Sequence, residues 1–149
     1  MKKPEGPKKK VVYGAVDYAS GKITAMISDT KSGFHFIAFL ALLFQTYAGC
    51  RIRLVCDNAH YHHTRAVRDW LDGHRHWIEV YWLPAYCPDL NLIERLWGHL
   101  KRTVLANVLF TCMNDLVSAF QRGVRAVNAR RDKMEFMFEH DDVTQEKAA

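Results

Sequence analysis

The sequence lacks any apolar run long enough to cross a membrane. Its most apolar segment, residues 34–44, is far shorter than the roughly 20 residues that a spanning helix needs. The N-terminus is basic, as in a secretory signal peptide, but the apolar run that begins at Val11 is interrupted by Asp17. The sequence therefore predicts a soluble, cytoplasmic protein with no signal peptide and no membrane anchor.

The sequence also lacks paired cysteines. The four cysteines, Cys50, Cys56, Cys87 and Cys112, are scattered, and no two of them form a CxxC pair. This pattern favours free thiols in a reducing compartment over disulfides. His60, His62 and His63 resemble a metal-ligand cluster, but a zinc module needs a second group of cysteine or histidine at a defined spacing. Because the sequence has no such group, we do not expect a zinc module.

Opposite charges are concentrated at the two ends of the chain. Residues 1–10 carry a net charge of +4 and residues 135–149 carry −4, so residues 11–134 hold the whole net charge of +5. The net positive charge therefore belongs to the part that is expected to fold, as in proteins that contact phosphate backbones.

Length and hydropathy predict one folded domain with an α/β architecture. A chain of 149 residues with 49% hydrophobic content can bury a single core. Apolar periodicity predicts strands 11–16 and 23–27, a helix from residue 33 to a stop at Gly49, strand 51–57, helix 64–71, strand 77–83 and helices 91–106 and 114–130. The first two strands form an antiparallel hairpin, and the apolar strand 51–57 suits the centre of a mixed sheet flanked by helices. Residues 1–10 are predicted to be a basic flexible arm, residues 11–131 the domain and residues 132–149 a charged tail.

Two acids occur where the predicted elements can bring them together. Asp57 ends the apolar run of the third strand, and Glu94 lies in the first turn of a helix that begins after Pro84 and Pro88 break the chain. An acid at a strand end and an acid on a helix packed beside that strand can converge on one divalent cation. Carboxylate oxygens suit Mg²⁺, and clustered carboxylates repel one another without a cation.

Each acid also has a purely structural interpretation. Asn91 and Glu94 fit a capping box, in which Glu94 bonds the N-terminus of its own helix. Asp57 fits a turn residue at a strand end. Taken singly, these interpretations are the commoner ones, so the metal hypothesis depends on both acids and on the motifs around them.

Those motifs are Asp57-Asn58-Ala59 with His62, followed by Leu83-Pro84, Tyr86, Pro88, Leu90-Asn91, Glu94, Trp97, Leu100 and Lys101. Together they resemble the DDE endonuclease domain of mariner-like insertion-sequence transposases, over about residues 11–130. The resemblance implies an RNase H-like fold and metal-dependent cutting and joining of transposon-end DNA. It also implies a two-ion site for Mg²⁺ or Mn²⁺, with Asp57 as the second acid of the triad and Glu94 as the third.

Three polar residues are predicted to lie behind the acids and orient them: Asn58, His62 and Asn91. Asn58 either orients Asp57 or bonds the loop, and His62 is expected to be a polar neighbour of the acids.

Three basic residues are predicted to contact DNA: Arg95, Lys101 and Arg102. Lys101 follows Glu94 by two helical turns and lies on the same face, and Gly98 leaves bare backbone between them as room for a phosphate. Solvated helix faces explain the same residues, so both interpretations stay open.

The family's first acid lies on a strand ahead of the hairpin, and the resemblance begins at the hairpin. It therefore implies a domain without its first strand and without the preceding helix-turn-helix region. Asp17 is the one candidate to replace the first acid, but it lies beside the turn Ala19-Ser20-Gly21, where aspartate is commonly a turn residue.

Two classes of function follow. The first is a DNA-associated transposase piece that acts on transposon ends and target DNA once a complementing N-terminal transposase chain or a homodimer completes it. The second is a non-catalytic nucleic-acid-binding or self-associating remnant. An upstream coding sequence with an acid-bearing strand would favour the first.

Overall fold

The computed structural model of this protein describes residues 9–85, 91–106, 108–110 and 112–130. These residues belong to two compact units: the first unit contains residues 1–14 and 24–91, and the second contains residues 15–23 and 92–149. Most of the predicted arm, the motif residues 86–90 and the predicted tail lie outside the described residues. Within the described ranges, no helix is long and apolar enough to span a membrane.

The chain opens with the predicted hairpin. Strand β1 covers Val11–Val16 and β2 covers Ile23–Ser28, and the two strands form a sheet of their own. The Asp17 N–H donates to the Lys22 carbonyl (2.9 Å), and the Gly21 N–H donates to the Asp17 carbonyl (2.7 Å). Gly21 has φ 68°, a left-handed conformation that glycine adopts at little cost. The turn chemistry read from the sequence is thus confirmed.

Two helices of the first unit begin at residues whose side chains cap them. Helix α1 covers Gly33–Thr46, and the Ser32 hydroxyl accepts the His35 N–H at 3.2 Å. Helix α2 covers Arg65–Gly73, and the Thr64 hydroxyl accepts the Val67 N–H at 3.3 Å. Such caps satisfy backbone donors that a helix leaves unpaired in its first turn.

The remaining strands of the first unit form a parallel pair. Strand β3 covers Ile52–Cys56 and β4 covers Ile78–Trp82, in a register that runs from Ile52 opposite Ile78 to Cys56 opposite Trp82. The Leu83 N–H extends the ladder by donating to the Cys56 carbonyl at 2.7 Å. Because the strands are parallel, the residues that follow β3 and β4 leave the sheet at the same edge.

The α/β class is confirmed, but the position predicted for β3 is not observed. Among the described residues, β3 pairs with β4 alone, and the hairpin is a separate two-stranded sheet. Val55 and Tyr81 lie opposite one another and are 44% and 48% exposed. The apolar run suggested burial on both faces, whereas the face that carries Arg53 and Val55 is exposed.

The second unit is built on two helices. Helix α3 covers Leu92–Leu100 and continues into a π-helical turn at Lys101–Leu105, and helix α4 covers Met113–Ala129. The Trp97 and Phe120 rings lie 5.9 Å apart between their centroids. The sequence predicted one regular α-helix over 91–106, whereas in the structure this helix ends in a π-helical turn.

The π-helical turn packs closely on α4 at Gly123. A Cβ on this glycine would lie 2.7 Å from Val104 Cγ2 and 3.2 Å from Leu100 Cδ2. A contact below 3 Å is closer than carbon atoms normally approach, so only glycine fits here without repacking.

A side-chain amide joins α4 to β2. Asn128 Oδ1 accepts the Ile23 N–H at 2.8 Å, and Asn128 Nδ2 donates to the Ile23 carbonyl at 3.0 Å. Ile23 is only 3% exposed. The amide therefore takes the place of a neighbouring strand and satisfies two backbone groups that burial would otherwise leave unpaired.

Candidate active site

Asp57 immediately follows β3, at the edge where both parallel strands end. Its Oδ1 accepts the Ala59 N–H at 3.1 Å and lies 3.2 Å from His62 Nδ1. The side chain is 54% exposed. Local contacts thus hold one carboxylate oxygen, while the group as a whole remains open to solvent and to ligands.

His62 lies behind Asp57 and is 7% exposed. Its ring centroid is 4.1 Å from that of Phe36 and 4.3 Å from that of Tyr61, and Trp82 packs farther away at 6.0 Å. Nδ1 lies 3.1 Å from the Asp57 carbonyl oxygen, which can only accept, so this nitrogen carries the proton. Burial lowers the pKa of His62, and the backbone hydrogen bond and charge of Asp57 offset that only in part. The imidazole is therefore neutral at neutral pH.

Asn58 joins the loops that follow the two parallel strands. Its Nδ2 donates to the Leu83 carbonyl at 2.6 Å, and its Oδ1 lies 2.9 Å from His63 Nε2. The His63 ring lies in turn 4.4 Å from the Trp82 ring. Of the two roles predicted for Asn58, these contacts correspond to bonding the loop.

Two neighbouring ionisable groups stay protonated. Burial raises the pKa of the Cys56 thiol to about 12 and that of the Tyr61 phenol to about 12, and the charge of Asp57 adds to both shifts. Neither group can act as a thiolate or phenolate near neutral pH. Cys50 and Cys112 are also free thiols.

Glu94 belongs to the second unit. It occupies the first turn of α3, and its side chain is exposed. Asn91 precedes this helix and is partly buried. Asp57 and Glu94 therefore lie on separate units, each at the start or end of a regular element.

The predicted DNA-contacting residues lie on α3 and its π-helical turn. Lys101 and Arg102 are exposed, and Arg95 is partly buried. A Cβ at Gly98 would lie 3.2 Å from Arg102 Nη1, so an exposed guanidinium lies beside the bare backbone that was predicted to leave room for a phosphate.

Positive charge is concentrated around His99. Burial lowers the pKa of this histidine, and the charges of Arg130 and Arg102 lower it further. The second unit thus brings Arg102 of the π-helical turn and Arg130, which follows α4, near one side chain, an arrangement that attracts phosphates.

Asp17 is a turn residue. Its Oδ1 accepts the Ala19 N–H at 2.9 Å, and its Oδ2 accepts the Ser20 hydroxyl at 2.8 Å. Both oxygens are used inside the hairpin turn, so the structural interpretation of Asp17 is confirmed.

No three or more His, Cys, Asp or Glu side chains within the described ranges group in a way that could hold a metal ion. Asp57 nonetheless fits one ligand of a hard cation, because its carboxylate is exposed and Mg²⁺ takes only one or two protein carboxylates. The sequence did not predict the aromatic rings around His62, which Phe36 and Trp82 supply from distant elements. The aromatic Tyr61 beside His62 was the one local signal for it.

Comparison with known proteins identifies related sequences over most of the chain. A family model described as DDE superfamily endonuclease matches residues 3–117. The insertion element IS630 uncharacterized 39 kDa protein of Shigella sonnei is 29% identical over 126 residues, which is 84% of this chain and 36% of that protein. The chain thus spans about a third of the length of its curated relative.

Solved structures share the fold. The Mos1 transposase, in a paired-end complex with the left transposon end, gives a TM-score of 0.62 at 19% identity, covering 93% of this chain and 46% of that one. The catalytic core domain of BIV integrase gives a TM-score of 0.61 at 17% identity, covering 92% and 91%. These likenesses show an RNase H-like α/β fold.

Proposed function

Because this chain belongs to the DDE superfamily of endonucleases, we propose that it supplies two acids of the metal-dependent centre of an insertion-element transposase. The observation that carries the proposal is the family match over residues 3–117, which includes the motifs around Asp57 and Glu94. The insertion-element relative supports the same assignment. The reaction would be cleavage of DNA strands and their transfer to target DNA.

Asp57 and Glu94 would hold Mg²⁺ or Mn²⁺, in a centre of two ions. One Mos1 structure with the same fold is described as a complex with Mn. When bound, such ions activate the attacking oxygen and neutralise the leaving oxygen. Asp57 contributes an exposed carboxylate, of which Oδ1 is already fixed by the Ala59 N–H. Asn58 and His62 would keep the Asp57 loop in place, and Asn91 would support the start of α3.

The basic residues of the second unit would hold the DNA backbone. Lys101 and Arg102 are exposed, and Arg102 and Arg130 act together on His99. Arg95 would add a contact from the first turns of α3. Residues of this kind bind phosphate without reading sequence, so recognition of transposon ends would lie elsewhere in the transposase.

The first acid of the triad would come from polypeptide outside these two motifs, in a complementing transposase chain or a second copy. Asp17 does not fit that role, because the hairpin turn uses both of its carboxylate oxygens. The relatives are longer than this chain, which leaves room for such a segment in them.

A nicking assay tests the proposal. Residues 1–149 alone should leave supercoiled DNA intact in Mn²⁺, because the two-ion mechanism needs ligands fixed on both sides of the scissile phosphate. A version extended upstream by the strand that bears the first acid should nick the same DNA. If the extended protein binds DNA but does not cut it in Mn²⁺ or Mg²⁺, the chain is a nucleic-acid-binding remnant and the catalytic proposal is wrong.

DNA binding by residues 1–149 should be weak, indifferent to sequence and steeply dependent on salt. Each neutralised phosphate releases a counterion, so Lys101→Ala and Arg102→Ala should each reduce the slope of log affinity against log salt by about 1. Lys22→Ala is the matched control, since it removes an exposed charge from the hairpin turn and should leave the slope unchanged. Fluorescence anisotropy with two unrelated duplexes measures both properties. Tight binding to only one of the duplexes would contradict the prediction.

A further inference from the structure

We propose that His62 is a positioning residue, which holds Asp57 so that a divalent cation binds through Oδ2 alone. The inference rests on the proposed function, because it takes Asp57 to be a metal ligand. It adds which carboxylate oxygen faces the cation and which side chain holds the backbone of Asp57 in place.

The contacts on the carboxylate are one-sided. Oδ1 accepts the Ala59 N–H at 3.1 Å and lies 3.2 Å from His62 Nδ1. Among the described residues, every hydrogen bond or ion pair of this carboxylate falls on Oδ1. Oδ1 already accepts one N–H and has the His62 ring beside it, whereas Oδ2 accepts no hydrogen bond from the described residues and keeps its capacity for a cation.

The His62 ring is fixed in the orientation that this role requires. The rings of Phe36 and Tyr61 lie within 4.1 and 4.3 Å of it, and the side chain is buried. Nδ1 also faces the Asp57 carbonyl oxygen at 3.1 Å. The Nδ1–H is thus donated to the backbone of Asp57, and it fixes the end of β3 from which the carboxylate extends.

Loss of this donor would free the backbone at Asp57 to move, and the carboxylate with it. A ligand that must be ordered on binding pays conformational entropy, and residues that orient metal ligands typically contribute 10-fold to 100-fold to metal affinity. His62 would therefore act on metal affinity through Asp57 without touching the ion.

Asparagine and glutamine separate this role from simple packing. The Nδ2 of asparagine is as far along the side chain as histidine Nδ1, so His62→Asn keeps the donor. His62→Gln carries the same amide one carbon farther out and cannot present it at the same point. His62→Phe fills the ring position with no donor.

The test is a Mn²⁺ titration of residues 1–149 and the four variants, with free Mn²⁺ followed by its EPR signal and folding followed by circular dichroism. We expect His62→Gln and His62→Phe to weaken Mn²⁺ binding about 10-fold, His62→Asn to stay within about threefold of wild type, and Asp57→Ala to weaken binding most.

The outcomes separate the two proposals. Equal affinities for the asparagine and glutamine variants overturn the positioning role, and they remain informative if His62→Phe fails to fold. The positioning role is equally overturned if all His62 variants bind Mn²⁺ like wild type while Asp57→Ala weakens binding. Unchanged binding by Asp57→Ala overturns the proposed metal site itself.

Discussion

Replacing Asp57 with asparagine should reduce Mn²⁺-dependent DNA cutting by at least about 10³-fold in a transposase that carries this chain together with the first acid of the triad. A metal ion contributes several kcal/mol to such a transition state, and each 1.36 kcal/mol is a factor of about ten in rate. The change removes the negative charge but keeps an oxygen that can accept the Ala59 N–H. The fold should therefore survive while metal binding fails. Glu94→Gln should have an effect of the same size.

The measurement is the rate of nicking of supercoiled DNA under single-turnover conditions. Asp69→Asn is the matched control, because it removes an exposed acid that pairs with Arg65 on α2 at 3.8 Å. Surface pairs of this kind contribute little, so this variant should cut at the wild-type rate. Retention of cutting by Asp57→Asn, with Asp69→Asn also active, would remove Asp57 from the catalytic centre.

Replacing Asn128 with alanine should lower the free energy of unfolding by about 2–4 kcal/mol, the largest stability effect that we expect from one polar side chain here. The substitution leaves the N–H and carbonyl of buried Ile23 without the two bonds at 2.8 and 3.0 Å. Unpaired buried backbone groups each cost about 1–3 kcal/mol. A small gain in helix propensity offsets little of this loss.

Urea unfolding followed by circular dichroism measures the effect. Asn114→Ala is the control on the same helix, since its side chain is exposed near the start of α4 and the change should stay within about 0.5 kcal/mol. Asn128→Asp tests the donor separately, because a carboxylate can accept the Ile23 N–H but repels the Ile23 carbonyl. If Asn128→Ala unfolds at the same urea concentration as Asn114→Ala, the amide contributes nothing measurable to stability.

The parts of the fold that sequence predicted are those that depend on neighbouring residues. Helix α1 begins at the predicted residue, beside a Ser32 hydroxyl that acts three residues along the chain, and Gly21 serves its own turn. The π-helical turn was not predictable, because its close packing depends on Gly123 of another helix. The prediction that β3 is a central strand was wrong for a similar reason, because an apolar run does not specify which neighbouring elements cover it.

The contacts of the candidate site also differ in whether residues close in sequence or distant elements make them. Asp57 and His62 are separated by five residues, so the motif itself brought them together. The bond from Asn58 to the Leu83 carbonyl spans 25 residues and follows from the parallel register of β3 and β4. The aromatic rings around His62 come from α1 and β4, which periodicity assigns to the core without saying what they touch.

The pairing of Ile23 with Asn128 also constrains the order in which the chain can fold. These two residues are separated by 105 positions, so their bonds close a loop that contains most of the protein. Closing a loop of that length costs about 4 kcal/mol in chain entropy, before any contribution from stiffness. Every regular element described for the first unit is complete by Trp82, whereas the second unit needs the early residue Ile23 and a helix made late. During synthesis on the ribosome, the backbone of Ile23 therefore remains without its two hydrogen bonds to Asn128 until α4 has been made.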